Sequence, residues 1–269
     1  MKFGLKCRFG DFHEMLSFGP QVVEFHFSDK DLNVPHPEGT YEQELIVHAP
    51  EYLDNKLVDL GSLGETNQIL SREQSINVIR RTIAKTLAMA KHFRGRPSII
   101  IHPGGYSMNP IDAATKKQMV ENLKKSVKEL AHPHVDLHME NLPPFPWFFG
   151  GQYTCNIFLD AEEIRQFCEA TGTKICFDTS HSKLYCNHAN KDIIEEIRLL
   201  KPYIRHLHIS DAAGVDGEGL QIEEGDIDWR TVIPLLQADV TFVPEIWKGH
   251  ERHGHGFRVA MDRLSKYLG

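Results

Sequence analysis

Cysteine is scarce in this chain and unpatterned. The five residues Cys7, Cys155, Cys168, Cys176 and Cys186 are odd in number and include no C-x-x-C pair. A disulfide-stapled scaffold is therefore not expected, and a reducing cytoplasm is the expected compartment. No apolar run approaches about 20 residues, so no membrane span is expected. The opening MKFGLKCRFG lacks the apolar stretch of a secretory signal. Positive charge is also short: 30 Lys and Arg face 37 Asp and Glu, a net charge of −7. That balance argues against broad nonspecific binding to nucleic acid, although a local basic patch is not excluded by it. Internal repeats, low-complexity tracts and linkers are missing as well, so a single domain over 1–269 is the simplest organisation.

What the chain does have is a recurring alternation of short apolar runs and helical patterns. The runs are KFGLKC (2–7), VVEFHF (22–27), ELIVHA (44–49), SIIIHP (98–103), VDLHME (135–140), KICFD (174–178), RHLHIS (205–210) and TFVPEI (241–246). Strands of this length alternating with helices predict a parallel sheet. Between them, Ser71 with Gln74 three residues on marks a helix start, and Asp160 and Gly172 bracket another helix. The segments 112–131 and 192–200 are also helical in pattern. Only the stretches after the first two strands lack a good helical pattern. Eight strands in 269 residues, 41% of them apolar, predict an α/β fold, a (β/α)₈ TIM barrel.

The sixteen histidines invite a search for ligands, and the strand ends supply them. Active-site groups of such barrels sit at the C-terminal ends of the strands. Strands three to eight end at or near His48, His102, Glu140, Asp178 with His181 beyond it, His208 and Glu245. Side chains alternate along a strand, so His138 and His206 fall one layer deeper than Glu140 and His208. Carboxylates gathered at one mouth repel one another, and a divalent cation removes the repulsion. Glu140, Asp178, His208 and Glu245 make the minimal set, three oxygens and one nitrogen, suited to Mn²⁺, Co²⁺, Mg²⁺ or Zn²⁺. Taken singly, each of these residues is as readily a loop anchor or a member of a buried ion pair. Their recurrence at one end of one sheet is what points to a site.

The motifs HMEN (138–141), FDTSH (177–181), HLHISD (206–211), EGDIDW (224–229) and VPEIW (243–247), with VHAPEYL (47–53) and IHPGGY (101–106), resemble the xylose-isomerase-like barrel superfamily of sugar isomerases, ketose 3-epimerases and type IV apurinic endonucleases. The resemblance implies a metal on Glu140, Asp178, His208 and Glu245. For the epimerase branch it implies Glu140 and Glu245 as the proton-transfer pair and His181 as a holder of a substrate oxygen. The endonuclease branch implies a multinuclear cluster, for which His48, His102, His181, Asp216 and Glu218 are candidates. Its D-x-H after strand seven reads Asp216-Gly217-Glu218 here, without the histidine.

The expected activity is a metal-dependent isomerase or epimerase of a small sugar or sugar derivative, and a dehydratase that shares the same first proton abstraction is left open. The alternatives are a phosphoester hydrolase of the endonuclease type and a noncatalytic metal- or ligand-binding barrel. The predicted mouth loops are acidic on balance, which disfavours a nucleic-acid partner. The basic stretch KHFRGRP (91–97) precedes strand four and so lies on the opposite face. The loop NLPPFPWFFGGQYTCN (141–156) offers Trp147 and Phe148 as a wall over a small ligand. The tail WKGHERHGHGF, with His250, His253 and His255, reads as a solvated loop. Oligomeric state is not legible in the sequence.

Overall fold

The apolar runs do close on themselves. In the computed structural model, which describes residues 1–236 and 239–268, eight parallel strands form a barrel. They are β1 (Lys2–Cys7), β2 (Val22–His26), β3 (Glu44–His48), β4 (Arg94–Ile101), β5 (Asp136–Glu140), β6 (Lys174–Asp178), β7 (Ile204–Ile209) and β8 (Thr241–Pro244). Each pairs with the next in sequence, and Lys2 and Phe3 of β1 pair with Thr241 and Phe242 of β8 to complete the ring. The helices are α1 (Phe12–Leu16), α2 (Arg72–Met89), α3 (Ala113–Leu130), α4 (Ala161–Thr171), α5 (Thr179–Ala189), α6 (Ile193–Leu200), α7 (Trp229–Leu236) and α8 (Glu251–Leu268). The (β/α)₈ fold read from the sequence is the fold observed.

The helices start where short polar side chains can satisfy free N–H groups. Ser71 and Gln74 form a reciprocal capping box on α2. Asp112, Asp160, Asp178 and Asp192 accept backbone N–H bonds at the starts of α3, α4, α5 and α6. Gly172, at φ 74°, ends α4 in the left-handed region that a side chain would resist.

Alternation along the strands builds two cores. Outward residues such as Val23, Phe25, Val47, Ile99, Met139, Phe177 and Leu207 join the helices in one large apolar cluster. Inside the barrel, Val22, Ile46, Ile100 and Cys176 form a separate small plug. Each stands two residues before Glu24, His48, His102 or Asp178, so by alternation the plug supports the layer above it.

Two elements differ from the expectation, and the poorly patterned stretch after β2 is as short as its sequence suggests. β4 begins at Arg94 rather than 98, and His102 falls just past its end. The region after β2 carries only a 3-10 turn, Lys30–Leu32. The histidine-rich tail is not an open loop: from Glu251 it enters α8, with Arg252, His253 and Gly254 in left-handed backbone at its start.

Candidate metal centre at the barrel mouth

Glu140 ends β5, Asp178 ends β6, His208 lies near the end of β7, and Glu245 follows β8. One ligand atom from each of the four falls within 4.8 Å of all the others. Glu140, Asp178 and His208 are no more than 1% exposed. Local structure fixes each of them. Asp178 caps α5, its Oδ1 accepting from the His181 N–H at 2.6 Å. Asn141 ties the ends of β5 and β6 together, donating to the Asp178 carbonyl at 3.0 Å and accepting from its N–H at 2.8 Å.

His208 is held from both sides. Its Nε2 meets Glu24 Oε2 at 3.0 Å and its Nδ1 meets Glu140 Oε1 at 3.1 Å. Glu24 Oε2 also bonds His206 Nε2 at 2.9 Å, while its Oε1 faces the Lys6 ammonium at 3.3 Å. Lys6 reaches on to Glu245 Oε1. A carboxylate behind a metal-facing imidazole fixes its tautomer and orientation, which is the position of Glu24 behind His208.

The charges are strongly perturbed. Burial would raise Glu140, but His208 and His102 outweigh it and hold the carboxyl well below its usual range. Glu245 is likewise held low, against burial, by His208 and Lys6. Asp178 behaves oppositely: burial pushes it up to about 6, and the Glu245 and Glu140 charges add to this while His181 opposes. Burial works against the His181 imidazolium, yet Asp178, Glu140, Glu218 and Glu245 raise it to about 9.

The donor set fits a cation by a test internal to the structure. Glu245 Oε2 is buried and accepts no hydrogen bond, although it sits 2.5 Å from His208 Nδ1. That nitrogen carries at most one hydrogen, and Glu140 Oε1 already faces it. Crowding two buried carboxylate oxygens against one nitrogen that can donate to only one of them is costly unless further positive charge lies among them. His48 repeats the pattern. Its Nδ1 donates to the Ala49 carbonyl at 3.0 Å, which leaves Nε2 facing Glu140 Oε2 at 3.1 Å.

Of the further candidates, His48, His102 and Glu140 form a second three-residue group with the same 4.8 Å spacing. His102 Nε2 stands 3.4 Å from Glu140 Oε2. Glu218, on the hairpin formed by Asp211–Ala213 and Gly217–Leu220, reaches within 3.7 Å of His181 Nε2. Asp216 is not brought to the cluster. It is exposed beyond the turn, and its carboxylate accepts from Gln152 at 3.4 Å. Above the cluster opens a cavity of about 470 Å³, lined by Asp178, His181, Glu218 and Glu245 on its polar side and by Trp147, Phe148 and Trp247 on its aromatic side. Trp147 and Trp247 are 65% and 71% exposed.

Reading the strand ends misses Lys6, Glu24, His26 and Glu51. His26 Nε2 lies 3.4 Å from Glu51 Oε1, and the His26 ring lies 4.6 Å from the ring of His48. A signal for two of them is present in the sequence. Lys6 and Glu24 are charges set inside apolar strands, at positions that alternation turns inward. Trp247, in VPEIW, is equally visible beside Glu245.

Residues 40–267 match the family model described as xylose isomerase-like TIM barrel. An uncharacterised protein of Methanocaldococcus jannaschii is 24% identical over 201 residues, 73% of this chain and 61% of that protein, so the chain spans less than two thirds of that relative's length. Two solved structures share the fold. A D-tagatose 3-epimerase-like protein superposes with TM-score 0.68 at 17% identity, covering all of both chains. Endonuclease IV from Thermus thermophilus gives 0.66 at 17% identity, over 99% of this chain and 100% of that one. With a closed parallel barrel and a match over most of its length, the chain belongs to the xylose isomerase-like TIM-barrel family.

Proposed function

We propose that the chain is a divalent-metal-dependent isomerase or epimerase of a small sugar or sugar derivative. The observation that carries this reading is the convergence of Glu140, Asp178, His208 and Glu245 beneath a cavity of small-molecule size. Those four residues would hold the metal, and its bound form supplies a Lewis acid for a substrate carbonyl.

The protein's own groups divide the remaining work. Glu245 lines the cavity, Lys6 holds its Oε1, and its Oε2 has no hydrogen bond. It is the proton acceptor for the carbon beside the carbonyl. Glu140 is hemmed in by His48, His102, His181 and His208, so it acts first as a fixed ligand. In an epimerisation it is the partner that returns a proton to the opposite face. His181 donates its Nδ1 proton to the Asn141 carbonyl at 2.9 Å and turns Nε2 toward the cavity side, where it meets a substrate oxygen. Trp147 and Phe148 form the wall over the ligand.

The test is a panel of ketoses, aldoses and sugar acids incubated with metal-replete protein in deuterated water. Deuterium should enter the carbon beside the carbonyl of the true substrate. If no member exchanges above background, the reading fails. One observation favours the endonuclease-type hydrolase instead: the second metal-spaced group of His48, His102 and Glu140. Incision of an abasic-site duplex by the wild type, lost in His102→Ala, would replace the first reading with the second. A noncatalytic binding barrel gives no reason for the two glutamates, Glu140 and Glu245, gathered at one site.

A further inference from the structure

The barrel has a second cavity at its opposite end. It encloses about 420 Å³ and is lined by the starts of β4, β5, β6 and β7 together with the loops that enter them. Its charged lining is basic. Arg96, Lys174 and Arg205 carry three permanent positive charges, and Asp136 is the one carboxylate among the described lining residues. Asp136 is already committed, accepting from Arg96 Nε at 2.8 Å. Lys174 has a ring rather than an acid for a partner, its ammonium lying 5.3 Å from the centroid of Tyr203. Arg205 donates to the Pro202 and Ile204 carbonyls. A net excess of two charges thus collects at one opening of a chain whose total is −7.

A second observation is independent of the charge. The ring of His138 lines the same cavity, yet the residue is 8% exposed and its Nδ1 is buried without a hydrogen-bond partner. Unpaired buried nitrogens are rare and call for an explanation; Nδ1 has almost no exposed surface, so the hydrogen offered to the cavity would come from Nε2. An apolar residue would fill this inward position of β5 more simply. The stretch KHFRGRP also gains a role: Arg96 comes from it.

We infer that the base of the barrel is a binding site for a small oxyanion of phosphate size, free or as the phosphoryl group of a metabolite, held by Lys174, Arg205 and Arg96 with an imidazole N–H of His138 beneath. Arg and Lys recognise such anions by charge-assisted hydrogen bonds. The bond network of Arg96 to Asp136, Pro133 and Val135 fixes its guanidinium in place before any ligand arrives. This site is separate from the proposed metal centre and does not depend on the reaction catalysed there.

The experiment is calorimetric titration of the metal-stripped protein with inorganic phosphate and, in parallel, with a sugar monophosphate. Thermal unfolding with and without each anion provides a second readout. One equivalent should bind, and Tm should rise with anion concentration. Tighter binding of the sugar phosphate identifies a metabolite site, and equal binding a free-anion site. Lys174→Glu combined with Arg205→Glu should abolish binding, while the milder Lys174→Met should weaken it by about ten-fold, as loss of one charge-assisted bond does. His138→Phe should also weaken it by about ten-fold. Asp178→Ala, at the other end, should bind the anion as the wild type does. No binding by wild-type protein at about 10 mM anion, well above the dissociation constant of even a weak specific site, would overturn the site. So would binding that survives Lys174→Glu with Arg205→Glu, since the basic residues would then only neutralise the loop carbonyls they touch.

Discussion

At its mouth the barrel packs carboxylates and imidazoles within metal-ligand spacing of one another. At its base it gathers guanidinium and ammonium groups around a single engaged acid. The same strands serve both ends. β5 runs Asp136, His138, Glu140 along its inner face, and β6 runs Lys174, Cys176, Asp178. Charge therefore changes along one strand within five residues, with an apolar plug of Val22, Ile46, Ile100 and Cys176 inside the barrel. The difference teaches that a closed parallel barrel insulates its two ends. Each can carry a charge pattern that would be costly beside the other, because alternation and the plug keep them apart.

The sharpest way to break that contrast is to remove one strand-borne ligand. Asp178→Ala should abolish metal retention and activity together, whereas Glu218→Ala, on a hairpin, should keep the metal. Elemental analysis of the two variants decides. Equal loss in both would mean that the mouth is a multinuclear cluster not confined to the strand ends. Next in size is Glu245→Gln, which keeps an oxygen for the metal and removes the proton acceptor. kcat should fall by about 10³-fold with the metal still bound; a fall of less than about ten-fold would remove Glu245 from that role. Glu24→Gln leaves every proposed ligand intact and weakens the support behind His208. Metal affinity should drop by about 10- to 100-fold, measured by competition with a chelator.

The fourth prediction uses pH. Asp178 is raised to about 6 in the metal-free protein, so its proton must leave before it can ligate. Metal affinity should therefore fall more steeply with pH below that value than above it, by about a further ten-fold per unit. A slope that does not steepen below about pH 6 would sever Asp178 from the site. The smallest effect belongs to the base. Arg96→Ala removes a half-exposed ion pair with Asp136 and should cost no more than about 1 kcal/mol of stability. Metal content should not change. A loss of metal there would show that the ends are not insulated.

The mouth is legible from sequence because its candidate ligands end apolar runs, and a strand end is a position that local pattern can mark. Glu140, Asp178, His208 and Glu245 can each be named without their distances. Lys6 and Glu24 cannot, although both interrupt apolar strands, because their meaning depends on partners far along the chain: Lys6 meets Glu245 and Glu24 meets His206 and His208. Asp216 and Glu218 show the opposite limit. They are two residues apart on one hairpin, yet only Glu218 turns toward His181, and loop direction is not encoded in spacing. The tail at 247–257 departs from its sequence pattern for a related reason. Glycines that separate histidines suggest a solvated loop, but three residues in left-handed backbone carry the chain into α8, where Phe257 is buried.

His208 has a carboxylate on each ring nitrogen, Glu24 on one side and Glu140 on the other. That arrangement raises the imidazole well above its ordinary range despite burial, through Cys176, Glu24, Glu245 and Glu140. In the absence of a cation the ring thus carries hydrogen on both nitrogens. A metal arriving at Nδ1 must expel one of them, so uptake at neutral pH is an exchange of a cation for a proton. The heat of metal uptake will then depend on which buffer collects that proton. Plotted against buffer ionisation enthalpy, it should fall on a line whose slope counts the protons released.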